Sequence, residues 1–115
     1  MPIRSTKPIG VGFRLALAFA LAAPLAAAQE SEDRDRYVAY GCFQCHGYEG
    51  QGGAALRIAP SLYPFEAFAA FVRRPANEMP AYPPAQLSDE DLQAIYRYVR
   101  SIPSPRPAAD IALLP

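Results

Sequence analysis

Cys42-Phe43-Gln44-Cys45-His46 is the stretch from which the rest of the chain can be read. On a helical turn, positions i, i+3 and i+4 share one face. Two thiols and one imidazole therefore point the same way. Two thiols at this spacing can each add to a haem vinyl group while the imidazole reaches the iron, and C-x-x-C-H is the attachment pattern of c-type haem. Other readings of a C-x-x-C need parts that this chain lacks. A redox dithiol sits on a βαβ background, and no strand pattern appears. A structural zinc site takes four N or S ligands, but the whole chain holds two cysteines and one histidine.

The region before the motif has the layout of a secretory signal peptide. Arg4, Lys7 and Arg14 make a positive start. Leu15 to Ala28 is apolar and alanine-rich, ends in Ala26-Ala27-Ala28 and is followed by charged residues. The uncharged run is about 14 residues, short of the ~20 that a membrane span needs. An uncleaved anchor is the alternative. The expected organisation is a leader over 1–28, a domain over 29–102 and a proline-rich tail over 103–115. Export to the periplasm with no stable membrane anchor follows.

Three of the chain's 11 Lys and Arg lie in the leader and none of its 11 Asp and Glu, so the remainder is acidic. Nucleic-acid binding wants a basic face and is not indicated. A domain this small buries a modest share of its surface and usually needs a staple. A disulfide between two cysteines three positions apart would cross-link little, so a large cofactor is the better candidate.

Three helices are expected. The first runs from about Ser31 to Gly41, with Ser31 as cap, Glu32, Asp33 and Asp35 in the first turn, and Tyr37 and Tyr40 on its apolar side. The second covers about Pro64 to Arg74, with Pro64 at its first position. Its stripe of Phe65, Phe68, Phe71 and Val72 is core packing, one ring of which could touch a cofactor. The third is capped by Ser88 and carries Asp89, Glu90 and Asp91 in its first turn. Leu92, Ile95, Tyr96 and Val99 follow at helical spacing. Gly47 to Gly53 and Pro80 to Pro84 read as irregular loops. The tail, ending Ile111-Ala112-Leu113-Leu114-Pro115, is either a disordered end or an apolar docking strip.

Ligand counting narrows the iron site. His46 is the only histidine, which excludes bis-histidine ligation within one chain. Met1 falls in the leader, so a strong sixth protein ligand would be Met79, in Asn77-Glu78-Met79-Pro80-Ala81-Tyr82. The plain alternative for a lone methionine is gap-filling in the core. His/Met ligation raises the potential of the haem and leaves no position for a substrate, which favours electron transfer over catalysis.

Tyr40-Gly41-Cys42-Phe43-Gln44-Cys45-His46-Gly47, Ala59-Pro60-Ser61-Leu62, Met79-Pro80-Ala81-Tyr82 and the final helix from Leu87 to Ile102 together resemble the small class I cytochromes c. The resemblance implies an all-α fold of three main helices around one covalent haem c and its iron. It implies that the Pro60 carbonyl accepts from the Nδ1–H of His46, where Pro60 otherwise only turns the loop. It places the final helix across the first, so Tyr96 would meet the region of Tyr37 or Tyr40. Arg57, Arg73 and Arg74 are candidates to pair with haem propionates, or are solvated surface charges. The expected role is a periplasmic one-electron carrier. It would act as a soluble shuttle or as a cytochrome subunit, with a dehydrogenase as donor and a cytochrome or oxidase as acceptor. A haem-based sensor with a displaceable sixth ligand is the alternative. One departure stands out: the ring of docking lysines on mitochondrial-type relatives is missing, since the only lysine is Lys7.

Overall fold

The computed structural model describes residues 12–107, 110 and 112, with side chains described from residue 24. Four helices follow in order, α1 (Gly12–Ala39), α2 (Phe43–His46), α3 (Phe65–Arg73) and α4 (Asp89–Ser101), with no strand among the described residues. The architecture is all-α, as expected. The last five tail residues other than Ala112 lie outside the described residues.

The first helix corrects an expectation. It begins at Gly12, not Ser31, and passes through Pro24. Ala and Leu are strong helix formers, and they carry the helix through the position at which Ser31 would have capped it. Asp33 therefore sits mid-helix, where its position faces α4. The end matches better. Gly41 takes φ +75 and its N–H donates to Val38 O (2.9 Å). That left-handed conformation suits glycine and stops the helix directly before Cys42.

α1 and α4 pack across each other. Tyr37, Leu92 and Val99 are fully buried, and Tyr98 is nearly so. The Tyr37 and Tyr98 rings lie 5.2 Å apart. This corrects the expected role of Tyr96, which turns to the other side of α4. There it packs against Phe65 (5.4 Å) and Phe68 (5.3 Å) of α3 and donates to Tyr63 O. Tyr98 lies three positions beyond Ile95 on the face toward α1, so the crossing selects it. α3 is split by the same geometry: Phe68 and Val72 are buried against α4, whereas Phe71 is left exposed beside Tyr63. Pro64 is the N-cap of α3, one position before the expected one. Ser88 caps α4, its Oγ accepting from Asp91 N (3.0 Å).

Polar pairs fix the register of the crossing. Arg97 forks onto Asp33, with Nε to Oδ2 at 2.8 Å and Nη2 to Oδ1 at 2.7 Å. Arg36 Nε meets Asp91 Oδ1 at 2.8 Å, and Tyr40 OH donates to Asp91 Oδ2 at 2.7 Å. Burial by itself raises the Asp33 carboxyl, but hydrogen bonds from Arg97 and Gln29 outweigh it and hold the group below its ordinary pKa. A bidentate pair on a buried carboxylate is stronger than an exposed one.

A carboxyl depressed in the folded state adds stability above its unfolded pKa and loses it as pH falls through the folded value. Asp33→Asn is expected to cost about 1 kcal/mol at neutral pH. Melting curves across an acid series check this: the gap from wild type should close as pH falls below the ordinary carboxylate range, and a gap independent of pH would contradict it.

Candidate haem-attachment site

The attachment motif forms the single turn α2, joined to α1 by Gly41. His46 N–H donates to Cys42 O (3.1 Å) and Gly47 N–H to Phe43 O (2.9 Å). The turn thus keeps the three donor side chains at the i, i+3 and i+4 positions of one helical turn. Cys42 is half-buried, Cys45 is exposed, and neither is in a disulfide. Burial pushes the Cys42 thiol up to about 11. His46 is 9% exposed.

The two core tyrosines reach the chain just past the histidine. Tyr37 OH donates to Gly47 O and Tyr98 OH to Tyr48 O, both at 2.7 Å. The glycine loop then folds back on the motif: Gly52 N–H donates to His46 O (2.8 Å) and Ala55 N–H to Cys45 O (2.9 Å). Ile58 and Ala59 both donate to Gly50 O, at 2.9 and 3.1 Å. Gly50 is required there by its φ of +61 and because an added Cβ would lie 2.8 Å from the Ala59 Cβ.

These bonds decide the partner of the imidazole. His46 Nδ1 lies 2.8 Å from Leu56 O. A carbonyl only accepts, so Nδ1 carries the hydrogen and Nε2 is left with a lone pair that could hold a metal. Such a partner fixes ring orientation and raises ligand basicity. The carbonyl expected in this place was that of Pro60, and it is corrected to Leu56. The pins at Ala55 and at Ile58–Ala59 hold the chain on both sides of Leu56, and Pro60 lies beyond them. A backbone carbonyl carries no residue identity, so no sequence signal could have named Leu56.

Arg73 is a second correction. Its Nη1 donates to Tyr82 O (2.7 Å) and Leu87 O (2.6 Å), and its Nη2 meets Asp89 (2.6 Å). Both terminal nitrogens are engaged within the protein and not held out for a propionate. Arg57 is exposed and donates to Ala59 O. Arg74 is exposed, on the same surface as Ala67, Ala70 and Phe71. Met79 is half-buried and packs against the core cluster.

The donor set fits haem c. Two free thiols share a face with an imidazole whose Nδ1 is already bonded. Leu56, Leu62, Tyr63 and Phe71 stand exposed on the segments that follow, surface that a large apolar cofactor can cover.

A family model described as cytochrome c oxidase, cbb3-type, subunit III matches residues 28–99. The chain belongs to this family of c-type cytochromes. No curated protein and no solved structure matches it. The cofactor of this cytochrome is covalently bound haem c with its iron, and its role is electron transfer with redox partner proteins. The attachment motif falls within the matched residues, and so does α4 as far as Val99.

Gly50→Ala should destabilise this cytochrome by about 1–2 kcal/mol, the cost of a left-handed conformation for an L-residue, before any shift forced at Ala59. A denaturant titration measures it, and a change below about 0.5 kcal/mol would contradict the close approach. Protein made without haem attachment should lose cooperative melting, because the apolar surface of Leu56, Leu62, Tyr63 and Phe71 then has no cover; circular dichroism during heating checks this.

Proposed function

We infer that this cytochrome is a periplasmic one-electron carrier with His46 and Met79 as axial iron ligands. The observation that carries the reading is the placement of Met79. It is half-buried on a loop tied to α3, in a chain whose other methionine is at position 1. The bound haem supplies one-electron chemistry, and the protein contributes ligands, a dry pocket and orientation. His46 provides Nε2, held in direction by Leu56. Cys42 and Cys45 hold the cofactor by thioethers, which prevents its loss outside the cell's haem supply. With both axial positions filled by the chain, no substrate position remains, and the protein acts as a carrier and not as an enzyme. Arg57 and Arg74 are the free candidates for the propionates.

Residues 1–28 act as an export signal in this reading, 29–102 as the cytochrome domain and 103–115 as a tail. Two facts support the division. The side chains of residues 24–32 are all exposed, and the bonds from α1 to α4 begin at Asp33. Cleavage after Ala28 would therefore remove no described core contact. The family match also begins at residue 28. Among the described residues no helix is long and apolar enough to cross a membrane. The carrier serves either as a shuttle or as the cytochrome subunit of a dehydrogenase, passing electrons to a cytochrome or oxidase. The residues after the leader hold no lysine, so docking relies on apolar contact or on a basic partner rather than on a lysine ring.

Optical spectra of the matured protein in both oxidation states test the ligand set. The ferric form should show the near-infrared sulfur–iron charge-transfer band, and Met79→Ala should abolish it and open the reduced iron to carbon monoxide. A wild-type protein without the band that binds carbon monoxide readily would instead support a haem-based sensor.

A further inference from the structure

We propose that Arg73 is the positioning residue that keeps the Met79 loop closed. The proposal rests on the reading of Met79 as the sixth ligand. Arg73 is the last residue of α3, and its side chain is only 15% exposed. The loop that leaves α3 runs from Arg74 to Ser88 and carries Met79 near its middle. One guanidinium nitrogen, Nη1, donates to carbonyls at two separated points of that loop, Tyr82 (2.7 Å) and Leu87 (2.6 Å). Tyr82 is held again from the neighbouring position, its N–H donating to Val72 O (3.1 Å), and its hydroxyl donates to Tyr40 O (3.1 Å). The last turn of α3 thus binds both backbone groups of Tyr82, three residues after Met79.

The division of labour within the guanidinium is informative. The Nη2 contact goes to Asp89, which is 83% exposed; exposed pairs contribute little. The two carbonyl contacts are charge-assisted and largely shielded, the stronger kind. Arginine suits the position because its rigid fork reaches several acceptors at once, whereas a lysine presents one point charge. Asn77, at φ +62, turns the chain between the two anchored ends, a conformation that asparagine tolerates better than most residues. Met79 packs against the core cluster, and these anchors set where its backbone lies.

The test uses the matured holoprotein and three variants, Arg73→Gln, Arg73→Lys and Asp89→Asn. Two readouts report on the loop: amide hydrogen exchange at Tyr82 and the affinity of the ferric form for added imidazole. Loss of the carbonyl bonds should raise loop opening, so imidazole should bind about tenfold to a hundredfold more tightly to Arg73→Gln. Tyr82 should lose protection by a similar factor, while amides of α4 stay protected. Arg73→Lys should fall between, and Asp89→Asn should behave as wild type. Equal loss of protection throughout the protein would overturn the proposal in favour of a general stabilising role, as would an Asp89→Asn effect as large as that of Arg73→Gln. The near-infrared band of the wild type reads the Met79 assignment separately. Its absence would overturn that assignment, and amide exchange at Tyr82, which does not depend on the iron, would still decide whether Arg73 holds the loop.

Discussion

Everything at the haem site depends on the crossing of α1 and α4. The crossing brings Tyr37 and Tyr98 together in the core with their hydroxyls on the same side. These hydroxyls hold the carbonyls of Gly47 and Tyr48, the two residues after His46. A buried phenol needs a partner, and the chain leaving the motif supplies one for each. The attachment turn is thus bonded to the core at its exit and continuous with α1, through Gly41, at its entrance. Burial raises the Tyr37 phenol well above its ordinary pKa, so it stays a neutral donor at any working pH.

From that anchor the site is built largely by backbone bonds. The glycine loop satisfies the carbonyls of Cys45 and His46, and it sets Leu56 O against the imidazole. The end of α3 ties the Met79 loop in the same way, by bonds to carbonyls. The polar energy of the domain is concentrated in contacts to shielded groups: the Asp33 fork, the Arg73 carbonyl bonds and the tyrosine hydroxyls. No buried side-chain nitrogen or oxygen among the described residues lacks a partner. In a domain whose core is small, leaving one of these donors or acceptors unmatched would cost more than the bond itself contributes.

The helices were legible where local signals agree. Ser88 and the acids behind it announce the start of α4. The start of α1 was misread because the capping signal at Ser31 competes with an alanine-rich run that extends a helix without needing a cap. Tyr96 and Tyr98 could not be told apart by spacing, since both border the apolar stripe of α4 and each finds a different helix. Arg73 and Arg74 are adjacent and alike in sequence, yet the step of about 100° between neighbouring helical positions sends one inward to the loop carbonyls and leaves the other exposed.

The sequence by itself determined the chemistry of attachment. Two thiols and an imidazole at fixed local spacing need no tertiary information to share a face, and in the proposed reading a single histidine leaves no choice of proximal ligand. Tertiary structure decided what those groups lean on: Leu56 in place of Pro60, Tyr98 in place of Tyr96, and the loop in place of a propionate for Arg73. The physical reason is one of range. Side-chain spacing along a helix is set by the helical repeat, whereas His46 Nδ1 and Arg73 Nη1 pair with backbone carbonyls, alike in every residue and selected only by where the chain is pinned.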